Sequence, residues 1–252
     1  MIAIEGATYM KKPTGAVALP CLLTAAVLFF TACSPSVILT VGNGTSGTGL
    51  FSADMSPTAE NLVRRFSGND TASGTASTGT KESQFFDRDK ITLSLAHAGI
   101  KADSIDFPSR AGIAIGVSFL RLDGLLARAV TLVRDENRIE IRLTRESVNA
   151  AVATMPADTR DYLDLLMAPV FTGETMNPAE YESIIAAAYG KTLAAELKKS
   201  AFTLTVRCPA PVKNTAAGEN ATVAATDSSA VFTIPLATLL AMDKPITALA
   251  EW

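Results

Sequence analysis

Val130-Thr131-Leu132-Val133-Arg134-Asp135-Glu136-Asn137-Arg138-Ile139-Glu140-Ile141-Arg142-Leu143-Thr144 decides the fold class. Val130–Val133 and Arg138–Thr144 are rich in β-branched residues, and Asp135-Glu136-Asn137 between them is turn chemistry. Ile139, Ile141 and Leu143 alternate with Arg138, Glu140 and Arg142. A period of two puts one set of side chains inward and the other in water, so the stretch reads as an antiparallel hairpin. Two arginines on one face suggest an anionic ligand, but Glu140 between them favours a solvated face.

The chain changes character on either side of this hairpin. Residues 145–200 read as helical. Asp158 caps a run through Tyr162, Leu163, Leu165, Leu166 and Met167, and Asn177-Pro178-Ala179-Glu180 is a capping box with proline at the first helical position. Gly190 divides the helix that follows, which closes on Lys198 and Lys199, where cations suit the helix dipole. Strands then return at Phe202–Cys208, Ala221–Ala225 and Ala230–Ile234, followed by a helix over Pro235–Met242 and a last strand over Ile246–Trp252. Upstream, Ser36–Val41 and Thr48–Ala53 read as strands joined by Asn43-Gly44, a hairpin signal. Ser56-Pro57 opens a short helix through Leu62, Val63 and Phe66. A helix over Asp87–Ala98 stops at Gly99, and Ile100–Phe107 and Gly112–Leu120 pair around Pro108-Ser109-Arg110. The order is strands, helices, strands, without regular βαβ alternation. It predicts an α+β fold, a mostly antiparallel sheet with a helical layer on one face. Residues 67–83, made of Ser, Gly, Asn, Asp, Thr and Ala, read as a low-complexity mobile insertion. The organisation is thus 1–32 leader, 33–66 strand pair and short helix, 67–83 insertion, and 84–252 the remainder of one domain.

The leader is Met10-Lys11-Lys12, an apolar run from Gly15 to Phe30, then Thr31-Ala32-Cys33. A basic flank, an apolar run and a small residue before a cysteine come in the order of an exported, lipid-modified precursor. An ordinary signal peptide and an uncleaved anchor helix are the competing readings, since the run is near the lower limit of roughly 18 residues for spanning. Residues 1–9 contain Glu5, which does not suit the start of a leader, so Met10 is the expected initiator. On these residues the chain resembles bacterial lipoprotein precursors. The resemblance implies cleavage before Cys33, diacylation of its sulfur and often acylation of the new amine. Phe30 stands where that family usually has Leu, a looseness known from spirochaetes. Two or more acyl chains would anchor the protein stably on a bacterial envelope membrane, at the periplasmic face or the cell surface.

Removing residues 1–32 leaves 220 residues, ample for one core. Formal charge moves from −3 to about −4, which argues against nucleic acid, a partner that calls for a basic face. Cys21 leaves with the leader and Cys33 takes lipid. Cys208 is then alone and reads as a buried small hydrophobe. Gly42-Asn43-Gly44-Thr45-Ser46-Gly47 matches a dinucleotide fingerprint, but a strand follows it where that site needs a helix, so no cofactor is expected. His97 is the one histidine and sits near a helix end, where a cation suits the helix dipole, so a structural role is favoured over a histidine metal site or a Ser-His-Asp triad, for which the chain holds a single copy. Asp158, Asp161 and Asp164 share a helix face that solvation explains.

The layout of strand pair, short helix, strands, helical insertion and C-terminal strands loosely resembles LppM-type envelope lipoproteins of mycobacteria. Its Ala-rich helices are similar to those of treponemal outer-membrane lipoproteins. Both resemblances imply envelope-associated binding proteins, in some cases for lipid. The expected function is non-enzymatic: an envelope lipoprotein that binds a lipid or apolar ligand, or a partner protein. The alternatives are a structural or host-contact surface antigen without a cavity and, less favoured, an envelope enzyme. Leu163, Leu166, Phe171, Ile184 and Ile185 are the expected ligand-lining residues, because their stretches are apolar beyond a single stripe.

Overall fold

The hairpin read from Val130–Thr144 forms, and it belongs to the smaller of two sheets. The structure is a computed structural model, and it describes residues 35–42, 46–66, 86–97, 101–120, 130–135, 137–152 and 167–252. Cys33, the insertion at 67–83, Asp158, Asp161, Leu163, Asp164 and Leu166 lie outside the described residues.

The larger sheet is built from β1 (Ser36–Val41), β2 (Gly47–Asp54), β3 (Ala102–Asp106), β4 (Gly112–Phe119), β7 (Ala201–Arg207), β9 (Thr222–Thr226) and β10 (Ser229–Pro235). Their order is β3-β4-β2-β1-β7-β10-β9. Each neighbouring pair is antiparallel except β1 and β7, which run parallel and register Ser36 with Thr203 and Thr40 with Arg207. The smaller sheet takes β5 (Val130–Asp135), β6 (Arg138–Leu143), β8 (Asn214–Ala217) and β11 (Ile246–Glu251) in the order β5-β6-β11-β8. The α+β class holds, with the sheet divided in two.

One hydrophobic core draws on both sheets. Phe51, Ile113, Ile115, Val206, Ala230 and Phe232 enter from the larger sheet, and Ile139, Ile141, Ala248 and Ala250 from the smaller. Alternation sets the inner face: Leu39, Phe51 and Val206 are buried while their chain neighbours Ile38, Leu50 and Thr205 are not. Gly47 is needed at the start of β2, because a Cβ there would strike the Thr40 carbonyl and the Phe119 ring. Cys208 is buried at the margin of this core, and burial pushes its thiol above the usual range, which fits its reading as a small hydrophobe.

The helices are α1 (Pro57–Phe66), α2 (Arg88–His97), α3 (Arg145–Val152), α4 (Ala168–Thr172), α5 (Pro178–Tyr189), α6 (Lys191–Lys199) and α7 (Leu236–Ala241). In α2, Leu95 is buried in the sheet core and Ile91 packs against it. The helices from α3 to α7 gather a second core around Tyr181, Ile185, Leu193, Leu197, Leu239 and Leu240. This core meets the strands at Ile234 and Ile246, with Phe202 packed against both cores. Asn177 caps α5, its side chain accepting from the amides of Ala179 and Glu180, while the Glu180 carboxylate accepts from the Asn177 amide. Gly190, with φ of 99°, separates α5 from α6. Arg145 closes the other end of this core, its guanidinium donating to the carbonyls of Met242 at 2.7 Å and Ala241 at 3.3 Å, where α7 ends.

Candidate functional site

The outer face of the larger sheet is assembled by register. Ser36, Ser52 and Thr203 lie side by side on β1, β2 and β7. In the next row Ile38 is flanked by Leu50 and Thr205, and Gly116 of β4 lies beyond Leu50. In the third row Thr40 is flanked by Thr48 and Arg207, and Ser118 lies beyond Thr48. The strands that bury Phe51 and Val206 on one side therefore present small hydroxyl side chains and two aliphatic ones on the other.

A groove open to solvent crosses this face. Its volume is about 320 Å³, and Ile38, Thr40, Thr48, Gly49, Leu50, Asp103, Gly116, Val117 and Arg207 line it. That volume is at the lower end of the range for small-ligand sites. Leu50 is 41% exposed, large for an apolar side chain in mid-strand. Gly116 keeps the floor low, because a Cβ there would come within 2.9 Å of Ser104 Oγ.

The groove carries one charge of each sign. Arg207 ends β7 and is exposed, and among the described residues its guanidinium makes no hydrogen bond or ion pair. Asp103, on edge strand β3, accepts a hydrogen bond from the Ser118 hydroxyl at 2.6 Å. With strands β4, β2 and β1 between them, their backbones are separated by four strand spacings, about 19 Å. Chemically this is a mixed surface: an aliphatic strip, hydroxyls on each side, a free guanidinium and a carboxylate with acceptor capacity to spare.

A second polar cluster ties elements together. The Glu60 carboxylate, nearly buried on α1, accepts from Arg110 Nη2 at 2.6 Å and Nε at 3.4 Å. Glu196 on α6 accepts from Ser56 Oγ at 2.5 Å and Thr58 Oγ1 at 2.6 Å. Ser56 also accepts from the Ala59 amide, which makes it the cap of α1. These bonds fix α1 against α6 and against the turn before β4.

The residues expected to line a ligand site fall in different environments. Ile185 is buried in the helical core, Phe171 packs half-buried against it, and Ile184 is 48% exposed. Leu163 and Leu166 lie outside the described residues. β1 ends at Val41 and β2 begins at Gly47, so a strand starts at the last glycine of this segment, where a dinucleotide site needs a helix. His97 is the last residue of α2, as read from the sequence. On the Arg138 and Arg142 face, Arg142 is exposed, while Arg138 is half-buried and pairs with Glu140 at 3.0 Å and Glu251 at 3.6 Å. Among the described residues no three of His, Cys, Asp and Glu gather as a metal site. No described helix is long and apolar enough to cross a membrane.

No protein-family model matches this chain, and no curated protein does. Among solved structures, the chain is weakly similar to the folded domain of the LppM protein of Mycobacterium tuberculosis, determined by NMR. Identity is 11%, coverage is 87% of this chain and 88% of that chain, and the TM-score is 0.31.

Proposed function

We propose that the protein is a lipid-anchored envelope lipoprotein that works by binding, not catalysis, and that its ligand is a lipid or another partly apolar molecule met at the membrane surface. One observation carries this reading. β1 begins at Ser36, three residues after Cys33, and the same strand supplies Ile38 and Thr40 to the groove. An acylated Cys33 would hold the central strand of the larger sheet, and with it the groove, within a few residues of the bilayer. The leader sequence supports the anchor. The exposed aliphatic pair Ile38 and Leu50 supports an apolar component in the ligand. The single histidine supports binding over histidine-based acid–base chemistry.

Two measurements test the proposal separately. Growth with a radioactive fatty acid should label the protein, and Cys33→Ser should abolish the label; a labelled variant overturns the anchor. Native mass spectrometry of the protein released from its membrane should show co-purified lipid, diminished by Leu50→Asp in the groove. If Leu50→Asp changes nothing and Ile185→Trp removes the lipid, the ligand sits under the helices around Phe171 and Ile185. If no lipid is carried and no fluorescent fatty acid is taken up, the protein is a structural or host-contact surface component.

A further inference from the structure

Resting on the reading of this groove as a ligand site, we infer that it recognises a phosphoethanolamine headgroup, a phosphate and a primary ammonium joined by a short link. The inference starts from the two charges. Arg207 has no partner among the described residues and faces the groove, so an anion would gain a charge-assisted, potentially bidentate contact without breaking one. A ligand that was only anionic would leave Asp103, which lines the same groove, facing the wrong sign. A zwitterion satisfies both.

Span agrees with sign. The backbones of β3 and β7 are separated by about 19 Å of sheet. Arg207 has a long side chain and Asp103 a short one, and both line one groove of about 320 Å³. With both side chains extended toward one another, the gap left would be on the order of 10 Å, the length of one guanidinium–phosphate contact, a two-carbon link and one ammonium–carboxylate contact in line. Thr40 and Thr48, between the two charges in the same row, add hydroxyl donors for phosphate oxygens.

The lining also discriminates between ammonium types. A quaternary ammonium has no N–H to give and is held by aromatic faces, and among the described residues no aromatic side chain lines the groove. A primary ammonium donates three hydrogen bonds, which Asp103 and a threonine oxygen accept. Ile38 and Leu50 lie one row closer to the Ser36 end of β1 than Thr40 and Thr48 do. The apolar part of the ligand therefore points toward the anchored end of the sheet.

Isothermal titration of the full chain with dihexanoyl phosphatidylethanolamine, phosphatidylcholine and phosphatidylglycerol, each below its micellar concentration, tests this. The ethanolamine lipid should bind at least about tenfold tighter than the other two, as one charge-assisted contact of ~1.4 kcal/mol requires. Arg207→Gln should weaken the ethanolamine and glycerol lipids together. Asp103→Asn should leave the glycerol lipid unchanged and bring the ethanolamine lipid down to its level. Equal affinity for all three lipids, or a preference that survives Asp103→Asn, overturns the headgroup assignment. If a fluorescent fatty acid binds while the ethanolamine lipid does not, the headgroup inference falls and the apolar-ligand reading stands. Free phosphoethanolamine binding as tightly as the lipid would support the headgroup and remove the acyl chains from the reading.

Discussion

The two faces of the seven-stranded sheet are made by the same backbone and share almost no chemistry. Inside, Phe51, Ile113, Ile115 and Val206 are at most 1% exposed and meet the smaller sheet in a common core. Outside, one residue along each strand, stand Ser52, Ala114, Gly116 and Thr205. In the three rows across β1, β2, β4 and β7, Arg207 is the single charge. The difference teaches which half of the alternation to read for what: the inner residues specify the fold, and the outer ones, freed from packing, are open to the binding role proposed above.

The comparison breaks most visibly at Phe51. Phe51→Ala should cost about 3–5 kcal/mol in urea unfolding, the loss for an aromatic side chain truncated in a closed core. A loss near zero would mean that the two sheets do not share one. A subtler probe uses neighbours on β7. Val206→Thr keeps the shape and buries a hydroxyl, so it should cost about 1–3 kcal/mol. The inverse exchange one residue away, Thr205→Val, should stay within ~0.5 kcal/mol, because that position faces outward. If the two substitutions cost the same, the faces are not distinct. A small but measurable loss is expected where the outer face is locally tied: the Ser36 and Ser52 hydroxyls are 2.7 Å apart, and Ser36→Ala should lower stability by about 0.5–1 kcal/mol, read from the shift in denaturation midpoint.

Much of the fold was legible because its signals are local. Asp135-Glu136-Asn137 between alternating runs, the Asn177 to Glu180 capping box, Ser56-Pro57 and Gly190 each act within a few residues, and each element formed where those residues put it. Asn214–Ala217 carries no local strand signal, because Asn-Thr-Ala-Ala has no apolar alternation; it is a strand because β11 pairs with it. The division into two sheets and the parallel pairing of β1 with β7 depend on partners far away in sequence, for which spacing offers no signal. The groove was illegible for the same reason. Arg207 reads as the polar end of a strand until the register places it beside Thr40, and Asp103 joins it only because β3 is the sheet edge. The helical segment reads as a ligand site because it is apolar on several sides; in the structure Ile185 shares a core with Tyr181, Leu193 and Leu239, while Ile184 is exposed.

The parallel contact between β1 and β7 also sets a timetable for folding. Hairpins such as β1–β2 close short loops and can form early, whereas Ser36 meets Thr203 only after most of the chain has emerged. Until then β1 has one side unpaired, and the sheet is split into a β3-β4-β2-β1 half and a β7-β10-β9 half. A chain threaded through a translocase from its amino end would therefore cross the membrane before its native sheet could close, and would complete its fold on the far side.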